Sequence, residues 1–138
     1  MQVKEIMTAT METIAPDLSI RDCAKKMEQL NIGSLPIEEN GKLIGMVTDR
    51  DICCRAVGNG LDLDGTKVAN IMSHEVAWCH AEDDCEDAAH LMEEKHIRRL
   101  AVLDSAEKPA GVLSVDDLAR CSHNLAGEVI EAAFPTMH

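Results

Sequence analysis

The sequence predicts an α/β protein made of two similar halves, and three observations lead to that prediction. Hydrophobic residues make up 46% of the 138 residues, which is enough for a packed core in a chain of this length. Apolar residues follow helical spacing in some segments and form short strand-like runs in others. The order of these segments then repeats, because residues of the first half match residues of the second at an offset of 65.

The first half opens with a short apolar segment and an amphipathic helix. Residues 3–7 predict one helical turn, and residues 11–14 predict a brief strand. Ser19 is placed to cap a helix over residues 20–30, which ends in the Asn31–Gly33 segment. The predicted apolar face of this helix carries Ile20, Cys23, Ala24, Met27 and Leu30.

A hairpin and a second helix complete the first half. Residues 34–37 and 43–47 predict strands, and the Asn-Gly pair between them suits the positive φ angles of a tight turn. Thr48 stands where the second strand ends, and apolar spacing predicts a helix over residues 49–57. The glycine-containing stretch 58–65 predicts a linker.

The second half repeats this order, so each half is predicted as β-α-β-β-α. One extra residue enters the second hairpin loop around residues 105–109, and the offset is 66 beyond it. Neither half is expected to bury enough surface alone, so we expect the two to pack as one pseudo-symmetric unit. The predicted boundaries are 1–58 for the first repeat, 59–67 for the linker, 68–122 for the second repeat, and 123–138 for a C-terminal helix (124–133, ended by Pro135) and tail.

A hydroxyl and a carboxylate stand three residues apart at the start of the last helix of each half. They are Thr48 and Asp51 in the first half and Ser114 and Asp117 in the second. A helix N-terminus suits a phosphate, and a carboxylate beside it can accept the hydroxyls of a ribose. The same spacing is that of a capping box, in which the two side chains satisfy the helix end and bind nothing. Both interpretations are open on the spacing alone.

Charge and apolar pattern exclude several classes of function. Lys and Arg number 13 against 25 Asp and Glu, and the net charge of −12 argues against nonspecific binding to nucleic acid or to an anionic membrane. No apolar run approaches the length of a membrane span, and the N-terminus lacks a secretory apolar core. We therefore expect a cytoplasmic protein with reduced thiols. No nucleophile, base and orienting residue form a set, so we expect no enzyme.

Three stretches resemble tandem CBS domains, the cystathionine-β-synthase domain pair that is also called a Bateman module. They are Ile-Gly-Ser-Leu-Pro-Ile at 32–37, Gly-Met-Val-Thr-Asp-Arg-Asp-Ile at 45–52 and His-Ile-Arg-Arg-Leu-Ala-Val at 96–102. The chain is most similar to small stand-alone pairs of the hypoxic-response and stress type. The resemblance implies two clefts between the paired repeats that bind adenosine-containing ligands such as AMP, ADP, ATP, S-adenosylmethionine or NAD. It also implies a homodimer that regulates an unknown partner protein.

The resemblance also implies which residues bind the ligand. Ribose and phosphate contacts fall to Thr48, Asp51, Ser114 and Asp117, with Arg50 near the same helix end. The strand before each hairpin is implied to supply the base slot and phosphate contacts, through Gly33, Ser34, Leu35, Pro36, Arg98, Arg99 and Leu100. Residues 11–13 and 76–78 are weaker candidates. The second half departs from the family pattern, because Ala101 and Ala81 stand where the first half has Pro36 and Pro16.

The six cysteines suggest a rival function. No Cys-x-x-Cys pair is present, and the repeat aligns Cys23, Cys53, Cys79 and Cys85 with core-like positions. Cys54 and Cys121 align with arginines, which predicts exposure. A thiol- or zinc-responsive sensor would use Cys54, Cys121 and nearby histidines. A purely structural dimerisation module is the remaining alternative.

Overall fold

A computed structural model describes residues 1–120 and 122–133 and confirms the mixed α/β class. The chain forms two compact units. Residues Glu12–Val76 form the first-repeat unit, and Met1–Met11 together with the chain from Ala77 onward form the second-repeat unit. None of the helices among the described residues is long and apolar enough to cross a bilayer.

The first-repeat unit contains helix α1 (Ile20–Leu30) and an antiparallel hairpin of β1 (Ser34–Glu39) and β2 (Lys42–Thr48). The Ser19 side chain accepts a hydrogen bond from the Asp22 N–H at 3.1 Å and begins α1. The hairpin turn places its Asn-Gly pair at φ values of 55° and 80°, the tight-turn geometry that the sequence predicts.

The helix after β2 begins as α2 (Asp49–Asp51) and continues as a π-helical segment, Ile52–Val57. The wider i→i+5 bonding changes which side chains face inward. The brief strand predicted over residues 11–14 is reduced to a single parallel bridge between Ile14 and Ile37.

Among its described residues, the second-repeat unit contains a three-stranded sheet and three α-helices. Strand β3 (Trp78–His80) is parallel to β4 (Arg99–Leu103), which is antiparallel to β5 (Pro109–Ser114). The helices of this unit are α3 (Cys85–Lys95), α4 (Val115–Ala119) and α5 (His123–Ala133). Helix α5 packs against both α3 and α4. It begins one residue before the predicted start, and Pro135, which was predicted to end it, lies outside the described residues.

Each unit takes a short 3₁₀ helix from the start of the other repeat. Val3–Glu5 belongs to the second-repeat unit, where the Val3 N–H donates to Asp83 O at 2.8 Å. Val68–Asn70 belongs to the first-repeat unit, where the Val68 N–H donates to Leu18 O at 2.9 Å. Both valine side chains are fully buried in the core of the unit that they join. The compact units therefore do not follow the order of the repeats along the sequence.

The glycine that opens each hydroxyl–carboxylate motif has a packing role that sequence reasoning missed. The Met46 N–H donates to Ser73 O at 2.9 Å, so the chain after Val68–Asn70 runs directly over Gly45. A Cβ at Gly45 would lie 2.9 Å from Ser73 O and 2.6 Å from the Met72 sulfur. Gly111 is crossed in the same way by Thr8. Both glycines permit this close backbone approach.

Three predicted core positions are wrong. Ala24 and Leu30 are exposed, because the buried face of α1 is the narrower stripe of Ile20, Cys23 and Met27. Cys53 is exposed as well, because it lies in the π-helical segment, where Ala56 takes the inward position.

Candidate functional site

Thr48 and Asp51 form a reciprocal capping box at the junction of β2 and α2. The Thr48 N–H donates to Asp51 Oδ2 at 3.0 Å, and the Asp51 N–H donates to Thr48 Oγ1 at 3.0 Å. The second carboxylate oxygen, Asp51 Oδ1, lies 3.7 Å from Arg55 Nε, and the Asp51 side chain is 17% exposed. One oxygen of this carboxylate is thus held by the backbone, and the other is only loosely paired.

The strand implied to carry the base slot lies beside this capping box. Ser34 pairs with Thr48 across the hairpin, and the Asp49 N–H donates to Gly33 O at 2.9 Å. Leu35 and Pro36 are buried, and Leu35 is a core residue of its own unit. The edge next to Thr48 therefore offers Gly33 and Ser34 directly, together with backbone groups of the following residues. Arg50 is exposed on the first turn of α2.

Ser114 and Asp117 form the same box in the second-repeat unit. The Ser114 N–H donates to Asp117 Oδ2 at 2.9 Å, and the Asp117 N–H donates to Ser114 Oγ at 3.1 Å. Here the other carboxylate oxygen bonds directly to Arg120 Nη2. The Asp117 side chain is only 3% exposed. Both of its oxygens are therefore occupied by groups of its own unit.

The predicted neighbours of the second box are also brought to it. Arg99 pairs with Ser114 across β4 and β5, and the Val115 N–H donates to Arg98 O at 3.0 Å. Both arginine side chains are exposed, whereas Leu100 is buried in the core of its unit. The weaker candidates separate into an exposed Trp78 on β3 and a half-buried Thr13, which donates to Glu38 at 2.9 Å.

Sequence reasoning missed the two arginines that distinguish the boxes. Arg55 lies four residues after Asp51, and Arg120 lies three residues after Asp117. Helical spacing makes either position a neighbour of the carboxylate, so the sequence carries this signal. The arginine four residues after Asp51 makes only a loose contact with it, whereas the arginine three residues after Asp117 bonds to it directly.

The thiols divide by depth. Cys54 is exposed as predicted, and Cys121 lies outside the described residues. Cys23 and Cys79 are buried, and burial raises the pKa of Cys23 to about 11 and that of Cys79 to about 12. These two thiols stay protonated at neutral pH and behave as packing residues.

A shallow groove of about 470 Å³ lies beside α1 in the first-repeat unit. Thr13, Ile14, Lys25 and Lys26 contribute to its lining. Of the predicted ligand-binding positions it includes only Thr13, from the weaker set, and it contains neither Thr48 nor Asp51. The Thr48–Asp51 box, whose second carboxylate oxygen is only loosely paired, is therefore a better candidate site than this groove.

Comparisons with known proteins agree with the repeat. The family model described as CBS domain matches residues 3–57 and 68–124. The CBS domain-containing protein YhcV of Bacillus subtilis is 37% identical over 130 residues, which cover 93% of this chain and 91% of that protein.

Solved structures that share the fold include two that hold metal ions or small-molecule ligands. The crystal structure of hypoxic response protein I with two coordinated zinc ions has a TM-score of 0.80 and 26% identity, over 88% of this chain and 99% of that one. The CBS domain pair of protein MJ0100, in complex with 5′-methylthioadenosine and S-adenosyl-L-methionine, has a TM-score of 0.75 and 28% identity, over 87% and 94% of the two chains. The predicted family resemblance is confirmed.

Proposed function

We propose that this chain, which belongs to the CBS domain family, is a regulatory module that binds an adenosine-containing ligand at Thr48 and Asp51. The observation that carries the proposal is the state of the Asp51 carboxylate. Its Oδ2 is fixed by the Thr48 N–H at 3.0 Å, while within the described part of the chain its Oδ1 has only the 3.7 Å contact with Arg55. A carboxylate that is positioned but not saturated is suited to accept hydrogen bonds from ribose hydroxyls.

Thr48 complements this acceptor with a donor. Its Oγ1 already accepts from the Asp51 N–H, so its hydroxyl hydrogen is free to point toward an oxygen of a ligand. The exposed Arg50 supplies positive charge on the same turn, which suits a phosphate in a chain of net charge −12. Ser34, across the hairpin from Thr48, adds a further hydroxyl and backbone groups toward the base.

The Ser114–Asp117 box is proposed as the weaker of the two sites. Its carboxylate is bonded to Arg120 and is buried, so a ligand would have to displace an ion pair to reach it. Opening that pair costs binding free energy that the first box does not require. The exposed Arg98 and Arg99 beside it remain candidates for phosphate contacts.

A solved structure of a related protein supports the choice of an adenosine-containing ligand. The CBS domain pair of protein MJ0100 holds two adenosyl compounds at 28% identity to this chain. Regulation would follow from linkage, because a ligand favours the conformations that bind it, and a partner protein that prefers those conformations then responds to the ligand. Homodimer formation, a trans-acting partner and a cytoplasmic location stay predictions.

A zinc- or thiol-responsive sensor is the second candidate. The two zinc ions in the structure of hypoxic response protein I favour it. Cys54 is exposed, as such a sensor requires. Native mass spectrometry of gently purified protein separates the candidates, since bound nucleotide supports the first function and bound zinc lost with Cys54→Ser supports the second.

Calorimetry with AMP, ADP, ATP, S-adenosylmethionine and NAD tests the proposal. Asp51→Ala removes a charge-assisted hydrogen bond to the ligand, worth about 1.5–3 kcal/mol. Affinity for the best ligand should therefore fall roughly tenfold to a few hundredfold. Thr48→Ala should cost about 1 kcal/mol in binding, whereas Thr48→Ser keeps the hydroxyl and should bind as the parent does.

Asp117→Ala is the matched control, because it removes the equivalent carboxylate from the weaker site. It should leave the tightest binding event nearly unchanged. If Asp51→Ala binds the parent's best ligand unchanged, Asp51 is a helix cap only and the site assignment is wrong. If the parent binds none of the five compounds, the ligand class is wrong.

A further inference from the structure

Three metal-ligating side chains converge where α3 and α5 pack together. His90 and Glu93 lie one turn apart on α3, and Glu128 faces them from α5. One ligand atom of each lies within 4.8 Å of the others. His90 and Glu128 are exposed and Glu93 is half-buried, so the cluster sits at the rim of the helix pair and is open to ions from solvent.

The two carboxylates of this cluster have no positively charged partner within the part of the chain that the structure describes. Among the described residues, no salt bridge or side-chain hydrogen bond engages these three side chains. Two carboxylates held this close repel each other, and the net charge of −12 adds to that repulsion. A divalent cation would remove the repulsion and satisfy all three groups together.

The helices that carry the cluster are fixed to each other beside it. His96 Nδ1 lies 2.8 Å from Ala132 O, which joins the end of α3 to the last turn of α5. Val129, next to Glu128, is fully buried in the same core as Met92, next to Glu93. The ligand atoms are thus supported by packed backbone and not by mobile loops.

We propose that His90, Glu93 and Glu128 bind a divalent transition-metal ion of the zinc class, which pins α5 to α3. The family model ends at residue 124, near the start of α5, so Glu128 lies beyond the residues that match the CBS domain. The proposal does not rest on the proposed adenosine site at Thr48 and Asp51, which lies in the other unit.

The donor set decides the class of metal. One imidazole nitrogen and two carboxylate oxygens suit zinc and its neighbours, whereas magnesium and calcium prefer oxygen alone. Bond lengths of about 2.0–2.2 Å place tetrahedral ligands roughly 3.4 Å apart. From the 4.8 Å limit, the ligand atoms need to approach each other by at most about 1.4 Å, which changes of His and Glu rotamer permit. Three protein ligands leave the fourth position for water.

The test uses zinc chloride titrated into the chelator-treated full chain. Cysteine is removed as a competing ligand in a Cys53→Ser, Cys54→Ser, Cys121→Ser background. In that background a single zinc ion per chain should bind and raise the melting temperature by several degrees. His90→Ala and Glu128→Gln should each weaken binding tenfold or more, because loss of supporting groups around a metal ligand alone costs that much.

Glu94→Gln and Glu131→Gln are the matched controls, since each removes an exposed carboxylate from the same helices outside the cluster. They should bind zinc as the cysteine-free background does. Cobalt(II) should give a visible d–d spectrum that His90→Ala abolishes. Zinc binding that survives both His90→Ala and Glu128→Gln, binding that disappears with the cysteines, or no binding at all would each overturn the proposal. Circular dichroism of the variants confirms that lost binding is not lost folding.

Discussion

The Thr48–Asp51 and Ser114–Asp117 boxes share their backbone hydrogen bonds and differ in what surrounds the carboxylate. The two reciprocal bonds measure 3.0 and 3.0 Å in the first box and 2.9 and 3.1 Å in the second. The carboxylate side chain is 17% exposed in the first box and 3% exposed in the second. The short motif therefore determines the helix start, and residues outside the motif determine whether a ligand can reach it.

Two features account for the difference. Arg120 bonds directly to Asp117, whereas Arg55 stays 3.7 Å from Asp51 and donates from Nη1 to Ile71 O at 3.1 Å instead. Helix α5 packs on α4 behind the second box, while the first-repeat unit continues into a π-helical turn. π-helical turns are frequent at functional sites. The repeat has thus produced one open box and one closed box.

The largest expected effect is a difference in unfolding free energy between substitutions at Ile71 and Ile6, each of which directly follows the 3₁₀ helix that its unit takes from the other repeat. Ile71 is 3% exposed in the first-repeat unit, whereas its counterpart Ile6 is only half-buried in the other unit. Ile71→Ala should lower the free energy of unfolding by roughly 2–5 kcal/mol through transfer and cavity terms. Ile6→Ala should cost roughly 1–2 kcal/mol, because less apolar surface returns to water.

Urea denaturation followed by circular dichroism measures both changes. If the two alanine variants lose the same free energy of unfolding, Ile71 is not more deeply packed than Ile6, and the expected difference between the units is wrong. Ile71→Val serves as the control and should cost no more than about 1.5 kcal/mol.

The sequence was sufficient for local structure and insufficient for packing between segments. Ser19, Thr48 and the Asn-Gly turn were predictable because their chemistry acts within four residues. The exchange of Val3 and Val68 between units was not predictable, since it depends on contacts between residues about 80 or 50 apart in the chain.

The prediction of side-chain exposure at Cys53 was wrong for a related reason. Alignment of the repeats placed Cys53 at a core position, but the π-helical segment turns it outward. The capping boxes themselves were predictable from spacing, whereas their unequal exposure depends on Arg55, Arg120 and α5. Periodicity assumes one helix geometry, and local departures from it are a tertiary effect.

A second expected effect concerns stability at the boxes themselves. Asp117→Ala leaves the half-buried Ser114 N–H without its acceptor and removes the partner of Arg120. We expect a loss of about 2–3 kcal/mol, which combines the cap and a charged hydrogen bond. Asp51→Ala should cost about 1 kcal/mol, because water can replace part of the lost contact at the more exposed box.

The ratio of the unfolding free energies lost in Asp117→Ala and Asp51→Ala tests whether the first box is more open to solvent than the second. Thermal and urea unfolding of both variants in ligand-free protein give the comparison. A larger loss for Asp51→Ala than for Asp117→Ala would reverse the assignment of open and closed boxes. Arg120→Ala isolates the ion pair, and its loss should be smaller than that of Asp117→Ala because the arginine is largely exposed.

The smallest expected effect is a pH dependence that belongs to the second-repeat unit. His80 Nε2 lies 2.7 Å from Glu107 Oε1, and the repeat places Ala15 at the equivalent position of the other unit. The hydrogen bond to Glu107 raises the pKa of His80 above its ordinary value of 6.5, and neighbouring acidic charges add to the rise. Protonated His80 is therefore favoured in the folded state.

The sign of the resulting stability change follows from linkage. A raised histidine pKa stabilises the fold fully below the unfolded pKa of about 6.5. That contribution is lost as the pH rises through the folded pKa. Since the pair is exposed to solvent, the change in melting temperature between pH 6 and pH 8 should be small. Glu107→Gln should lower the pKa of His80, which an NMR titration of the ring protons measures. An unchanged His80 titration in Glu107→Gln would show that the pair contributes nothing in solution, and the pH response would then have to come from another group.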